Sequence, residues 1–208
     1  MATHYKPVNI CVGRQIGSGG NSISRHIAKA FGLKLYDREI LNMAAKESGF
    51  CEKFFERCDE SKSIFKSAAH FLPLMGGGEG HFYRNKFSED GLFKIQSDAI
   101  LQAARSGGVF VGRCADYVLR GMDTVTVFVT ADMDDRTRRI ALRKDCTEEE
   151  ARKAIEGGEA KRASYYNYYT GKKWGHSSSY DLCVNSSVLG IEATALLIEQ
   201  FVRQKMSL

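Results

Sequence analysis

The sequence predicts an α/β fold with a mainly parallel β-sheet. Five short segments have the apolar, often β-branched character of buried strands, and helical patterns lie between them. A glycine-rich turn follows the first of these segments and precedes an amphipathic helix. Strands that alternate with helices form βαβ units, in which the helices cover a parallel sheet.

The predicted strands are brief and come in a regular order. They are residues 8–13 (VNICVG), 33–37 (LKLYD), 109–113 (VFVGR), 124–130 (TVTVFVT) and 181–185 (DLCVN). Helical periodicity predicts helices at about 21–31, 38–48, 89–106, 133–144, 147–166 and 190–204. The first helix shows the pattern well, because its apolar side chains share one face: Ile23, Ile27, Ala30 and Phe31.

The composition is that of an ordinary globular chain. A length of 208 residues suits one domain with a substantial core, and 43% of the residues are hydrophobic. No apolar run approaches the ~18 residues of a membrane span, and the first residues lack a signal-peptide pattern. We therefore expect a cytoplasmic protein. The net charge of +5 suits a polyanionic small molecule but is too diffuse to indicate nucleic acid. The six scattered cysteines contain no CxxC pair, so no disulfide framework or zinc site is expected.

The glycine-rich turn has the layout of a phosphate-binding loop. Residues 12–32 read VGRQIGSGGNSISRHIAKAFG. Gly17, Gly19 and Gly20 let consecutive backbone N–H groups turn inward, and the following helix adds its positive end. A plain turn is the alternative, but the strand before and the helix after favour phosphate binding. Ser22 stands two residues beyond the usual lysine position, and we predict that its hydroxyl faces a magnesium ion.

The loop lacks the lysine that such loops usually carry. Gly20 holds that position and Asn21 follows it. Backbone amides still favour a bound anion, whereas transfer of a γ-phosphoryl group needs a cation where negative charge moves. Arg14, three residues before Gly17, is the nearest replacement in sequence, and the alternative is a solvated surface charge. For Arg25, a turn beyond Ser22, we favour the solvated alternative.

Four separated stretches carry a resemblance to a known family. They read GRQIGSGGNSISRHIAKAFGLKLYDREILNMAAKESG, VFVGRCADYVLR, YYNYYTGKKWG and YDLCVNSSVLGIE, in this order. Together they resemble the cytidylate kinase-like family, diverged relatives of bacterial cytidylate kinases. The resemblance implies a P-loop kinase fold, with a five-stranded parallel sheet flanked by helices, a helical substrate lobe and a lid. It also implies ATP and Mg²⁺ as the phosphoryl donor pair.

The resemblance further implies a single domain, residues 1–208, whose parts have separate tasks. The core takes residues 6–50, 91–144 and 180–208, the substrate lobe about 51–90 and the lid about 145–179. The phosphate loop comprises Gly17, Ser18, Gly19, Gly20, Asn21 and Ser22. Contacts to the acceptor phosphate fall to Asp37, Arg38, Arg113 and Asp116, where an arginine fork suits a bidentate grip. The predicted catalytic cations are Arg14 and the lid arginines Arg139, Arg143 and Arg162.

Each of these assignments has a structural alternative. Asp37 is equally suited to cap the helix that begins REILNMAAK, and Arg113 to form an ion pair at a strand end. Asp116 is displaced by two residues from the family pattern, and Asn21 stands where relatives often carry a basic residue. Several lid arginines must form a solvated helix face. The lid aromatics suit a stacked base, but we favour packing at the lid hinge or against a second copy of the chain: Tyr165, Tyr166, Tyr168, Tyr169 and Trp174.

These features predict an ATP-dependent small-molecule kinase whose acceptor is a nucleoside monophosphate such as CMP. The alternative is a nucleotide-binding sensor that has lost phosphoryl transfer, which the Gly20–Asn21 pair favours. Nucleic-acid binding is the least favoured function, because basic residues of the lid are interleaved with acidic ones. We expect small-molecule nucleotide substrates and no membrane partner, with a homo-oligomer left open.

Overall fold

The computed structural model describes residues 7–37 and 79–207, with side chains of the second range described from residue 90 onward. These residues fall into two compact units, one of residues 7–37 with 100–207 and the other of residues 79–99. The predicted helix at 38–48, the predicted acceptor contact Arg38 and most of the predicted substrate lobe lie outside the described residues.

Five parallel strands form one sheet, as the sequence predicts. They are β1 (Asn9–Arg14), β2 (Leu35–Tyr36), β3 (Gly108–Val111), β4 (Thr124–Thr130) and β5 (Leu182–Asn185), in the order β2-β3-β1-β4-β5. β1 is central and pairs with β3 on one side and β4 on the other. β2 is shorter than predicted, since only Leu35 and Tyr36 pair with Val109 and Phe110 of β3.

Apart from the short helix α3, which was not predicted, the described helices follow the predicted order, with differences at their ends. They are α1 (Gly20–Ala30), α2 (Glu79–Ala104), α3 (Ala115–Val118), α4 (Met133–Lys144), α5 (Glu148–Thr170) and α6 (Ser186–Met206). The bounds of α4 match the prediction, whereas α6 begins four residues earlier than predicted. The Asn185 side chain caps α6 by accepting the Ser187 N–H at 2.9 Å. Gly190 interrupts the helix with φ 79° and ψ 170°. Because the helical period breaks there, the sequence pattern did not predict the turn that precedes it.

The main core lies between the sheet and the pair α1 and α6. Alternate residues of the central strands face these helices, and the cluster includes Ile10, Val12, Val109, Val111, Val125, Val127, Val129, Ile23, Ile27, Ala195, Ile198 and Val202. The residues between them on the strands, such as Cys11, Phe110 and Phe128, are also buried and point to the opposite face. β1 is therefore buried on both faces, and its carboxyl end delivers the glycine-rich loop to the edge where open α/β sheets bind ligands.

Helices α4 and α5 pack against each other beside this loop. Ile140 of α4 and Ala151 and Ile155 of α5 form a small buried cluster, and Ile16 of the loop packs against it. The start of α5 is fixed by a capping box, in which Thr147 and Glu150 satisfy each other's backbone N–H groups. The α4–α5 pair is thereby held close to the loop, which brings the predicted lid arginines toward the carboxyl edge of the sheet.

Candidate functional site

The loop between β1 and α1 turns through two glycines in the left-handed region, Gly17 at φ 81° and Gly19 at φ 77°. Ser18 between them is buried, and its hydroxyl donates to the Gln15 carbonyl at 2.9 Å. The Ser18 carbonyl accepts from the Ser186 hydroxyl at 2.7 Å. The loop is therefore shaped by its glycines and fixed internally, before any ligand is considered.

The N-terminus of α1 faces outward from this loop. Its N-cap is Gly19, which forms no side-chain cap hydrogen bond, while Asn21 and Ser22 in the first turn are exposed. The helix has 11 residues and no acidic residue in that turn. An uncapped helix N-terminus behind a glycine loop presents backbone N–H groups and a positive dipole end, which together favour an anion.

A cavity of about 290 Å³ opens beside the loop, and basic side chains dominate its polar lining. They are Arg14, Arg113, Lys161 and Arg162. Tyr165, Tyr166 and Trp174 supply aromatic walls, and Gly112 and Cys114 supply part of the β3 end. The structure thus brings the predicted residues Arg14, Arg113 and Arg162 together from three separate parts of the chain. Positive charge around an open cavity of this kind suits a phosphate or another polyanion.

The charge in this cavity is imperfectly balanced. Burial, followed by the neighbouring Arg162 and Arg113 guanidinium groups, lowers the pKa of Arg14 to about 9, against the opposing effect of Asp37 and Glu159. Burial likewise lowers the pKa of Arg162, which Glu159 partly offsets. Like charges that depress each other's protonation are relieved by a bound anion, so the electrostatics of the cavity favour a negatively charged ligand.

Arg113 occupies a strained turn immediately after β3. Gly112, Arg113 and Cys114 all have positive φ, at 74°, 57° and 57°. Two successive non-glycine residues in this region cost about 1–3 kcal/mol each, and such strain persists mostly where the surrounding structure requires it. The turn aims the Arg113 guanidinium at the cavity, where it lies 5.6 Å from the centre of the Tyr165 ring.

Glu159 joins α5 to the loop. Its Oε1 accepts the backbone N–H of Ile16 at 2.5 Å, and its Oε2 accepts the indole N–H of Trp174 at 3.2 Å. The same carboxylate lies 3.5 Å from Nη2 of Arg136 and 3.8 Å from Nη1 of Arg162. This one acidic side chain therefore fixes the position of a cavity arginine relative to the phosphate loop.

The two arginines of α4 nearest the loop bond to its backbone. Arg136 Nε donates to the Ile16 carbonyl at 2.8 Å, and Arg139 Nη1 donates to the Gly17 carbonyl at 3.1 Å. Arg139, predicted to act on the transferring phosphates, is here a contact that shapes the loop. Arg162 lines the cavity and also bonds to the backbone before the loop, because its Nη1 donates to the Arg14 carbonyl at 2.9 Å.

Three other predicted site residues, Asp37, Asp116 and Arg143, do not line the cavity. Asp37 follows β2 and lies close enough to Arg14 to affect its pKa. Asp116 accepts the Tyr166 hydroxyl at 2.6 Å beneath the cavity, and burial raises the pKa of this carboxyl. Arg143 is exposed in the last turn of α4 and does not line the 290 Å³ cavity.

Sequence reasoning did not assign Glu159 or Arg136 to the site. A local signal existed for Glu159, since it stands three residues before Arg162 on one helix face. Its contact with Ile16 spans 143 positions and has no local signal. Among the described side chains, no group of three or more His, Cys, Asp or Glu residues is arranged to hold a metal ion.

A family model for the cytidylate kinase-like family matches residues 9–188. The chain belongs to this family. It is 26% identical over 183 residues to a cytidylate kinase of Methanoculleus marisnigri, covering 88% of this chain and 87% of that one. It is 27% identical over 187 residues to a cytidylate kinase of Pyrobaculum aerophilum, covering 88% and 86% of the two chains.

Solved structures show the same fold. An uncharacterized protein from Eubacterium ventriosum superposes with a TM-score of 0.73 at 25% identity, covering 96% of this chain and 99% of that one. A shikimate kinase from Bacteroides thetaiotaomicron superposes with a TM-score of 0.53 at 15% identity, covering 94% and 98% of the two chains. This member of the cytidylate kinase-like family thus has the P-loop kinase fold, which supports a nucleotide-binding kinase. Within the described ranges, no helix is both long and apolar enough to cross a membrane.

Proposed function

We propose that this chain is an ATP-dependent kinase that phosphorylates a nucleoside monophosphate such as CMP. The observation that carries the proposal is the convergence of Arg14, Arg113 and Arg162 on one cavity beside the glycine-rich loop. Family membership supports the reaction class, and the named relatives are cytidylate kinases. Because those relatives are cytidylate kinases, CMP is the first acceptor to test. The identity to them is low, so the acceptor has to be established by experiment.

The loop and the start of α1 are the proposed site for the ATP phosphates. The uncapped N–H groups after Gly19 suit the negative charge, and the exposed Ser22 hydroxyl suits a magnesium ion that accompanies them. Magnesium would neutralise charge on the phosphate oxygens when bound. Gly17, Ser18, Gly20 and Asn21 complete this proposed loop.

Arg113 is the proposed grip on the acceptor phosphate, with Asp37 and Arg38 as further predicted acceptor contacts. In the reaction, an acceptor-phosphate oxygen bonds to the γ-phosphorus of ATP as the bond from that phosphorus to ADP breaks. The electron pair of the broken bond leaves with ADP. Because the acceptor oxygen is already ionised, no general base is needed, and positioning and charge neutralisation do the catalysis. Arg162 and Arg14 line the same cavity and are placed to supply that neutralisation.

The Arg113→Ala variant tests the acceptor site. We expect the KM for CMP to rise about 10–100-fold, because a charge-assisted hydrogen bond contributes about 1.5–3 kcal/mol, while the KM for ATP changes little. Purified protein is incubated with ATP, Mg²⁺ and each common nucleoside monophosphate, and the products are identified by mass spectrometry. Arg120→Ala is the matched control, since Arg120 is exposed and stacks on Tyr117 instead.

Two outcomes would contradict this proposal. Equal rises in KM for both substrates would place Arg113 outside the acceptor site. ATP that binds but stays intact with every acceptor would favour the second candidate, a nucleotide sensor without phosphoryl transfer. The specific observation behind that candidate is Gly20, which stands where the loop lysine is usual.

A further inference from the structure

Gly20, at the usual lysine position, lies directly against the side chain of Arg14. A Cβ atom added to Gly20 would lie 2.5 Å from Arg14 Cβ and 2.8 Å from Arg14 Cγ. Carbon atoms that are not bonded do not approach so closely, and the obstacle here is the inner part of the arginine stem, which cannot swing aside. The space that a residue 20 side chain needs is therefore already filled by Arg14.

The far end of Arg14 lies against a second glycine. A Cβ atom added to Gly112 would collide with Arg14 Nη1. The backbone fixes this approach, because the Gly112 N–H donates to the Val12 carbonyl at 3.1 Å, two residues before Arg14 on the neighbouring strand. Gly112 also has φ 74°, a conformation that side chains disfavour. The Arg14 side chain thus runs from Gly20 across the sheet edge to Gly112, and its guanidinium reaches the cavity.

Charged groups of both signs lie around the end of Arg14. Arg113, just after β3, and Arg162 of α5 line the same cavity, and Asp37, just after β2, and Glu159 of α5 oppose their effect. Arg162 also donates to the Arg14 carbonyl, which fixes the backbone from which the side chain departs. Arg14 is therefore a held cation, pointed at the place where a phosphate is proposed to bind.

We propose that Arg14 supplies the cation that a lysine at position 20 supplies in the usual loop, and that residue 20 is glycine because the Arg14 stem fills the space of a side chain there. The inference rests on the proposed function and links the role of Arg14 in it to the glycine at the lysine position. Arg14 contacts the γ-phosphoryl oxygens as the phosphorus passes from ADP to the acceptor oxygen. Arg14, from the preceding strand, then replaces the loop lysine as the cation, and phosphoryl transfer is retained.

The kinetic test exchanges the two residues. Arg14→Ala should lower kcat about 10²–10³-fold while changing the KM for ATP only a few-fold, because the loop amides remain. Gly20→Lys alone should also lose activity, since two side chains then contend for one space. The double variant Arg14→Gly with Gly20→Lys should regain at least about tenfold in kcat over Arg14→Gly, because removal of both Cβ and Cγ at residue 14 vacates the space that the lysine needs. Arg25→Ala, an exposed arginine of α1, is the control for loss of charge near the loop.

A stability cycle tests the packing without any enzyme assay. Gly20→Ala should lower the midpoint of thermal unfolding by about 4 °C or more in the native background. In an Arg14→Gly background, which also removes the Cβ atom nearest to residue 20, the same change should lower the midpoint by less than half as much. Equal shifts in the two backgrounds would overturn the claim that Arg14 fills this space.

The two tests separate the possible failures. If the native chain turns over and Arg14→Ala matches it, the inference about Arg14 is wrong and the kinase proposal stands. If the native chain transfers no phosphate to any acceptor, the kinase proposal fails, and the catalytic role of Arg14 fails with it. The stability cycle then decides separately whether Arg14 is the reason for the glycine at position 20.

Discussion

Arg162→Ala should lower kcat by about 10²–10³-fold, the usual effect of removing one group that stabilises charge in the transition state. Arg162 lines the cavity and holds the Arg14 backbone through a 2.9 Å hydrogen bond, so the substitution removes one cation and loosens another. Arg162→Lys should recover only part of the loss, because lysine keeps the charge and lacks the planar fork. Steady-state kinetics with ATP and CMP measure the effect.

The control for Arg162 is an arginine of the neighbouring helix. Arg138 on α4 is exposed and pairs with Asp135 three residues away, so Arg138→Ala should leave kcat close to that of the native chain. The circular dichroism spectrum of each variant shows whether the helices are retained. A folded Arg162→Ala variant with native kcat would remove Arg162 from the catalytic proposal.

Gly17→Ala should be strongly destabilising. A left-handed backbone costs an L-residue about 1–2 kcal/mol, and Gly17 has φ 81°. A Cβ atom at this position would also lie 2.7 Å from the carbonyl oxygen of Arg136, which is backbone and cannot rotate away. Overpacking of this kind adds about 1–3 kcal/mol. The free energy of unfolding, measured by denaturant titration, should fall by the sum of the two effects.

Gly32→Ala separates these two effects. Gly32 also has positive φ, at 62°, but nothing lies within 4 Å of an added Cβ atom. This variant should therefore lose about 1–2 kcal/mol, for the backbone alone. If both alanine variants lose the same free energy, the close approach of the loop to α4 is not a constraint on residue 17. A larger loss for Gly17→Ala indicates that α4 sets the shape of the phosphate loop.

The sheet and most helices were predictable because their signals are local. A buried strand such as Thr124–Thr130 is a run of β-branched residues between polar ones, and the pattern ends where the strand ends. β2 was overestimated, since pairing with β3 holds only two of its residues. The first turn of α6 was missed because Gly190 interrupts the apolar period, while the Asn185 cap starts the helix before it.

The candidate site was predictable only in part. The glycine loop is a contiguous motif, and Arg113 directly follows a recognisable strand, so both could be located by position. The role of Glu159 depends on the packing of Ile140, Ala151 and Ile155, which places α5 beside the loop. The proposed reason for Gly20 lies in its contact with the side chain of Arg14, six positions earlier. Such relations arise from the tertiary structure and leave no period in the sequence.

The indole of Trp174 has a practical consequence. It is the single tryptophan of the chain, it bonds to Glu159, and its ring lies edge-on to Phe128 at 5.0 Å. It therefore joins α5 to the sheet at the wall of the cavity. Because the chain has no other tryptophan, tryptophan fluorescence reports on this junction alone. The native chain carries an intrinsic optical probe, so nucleotide titrations can be followed without a label or an engineered residue.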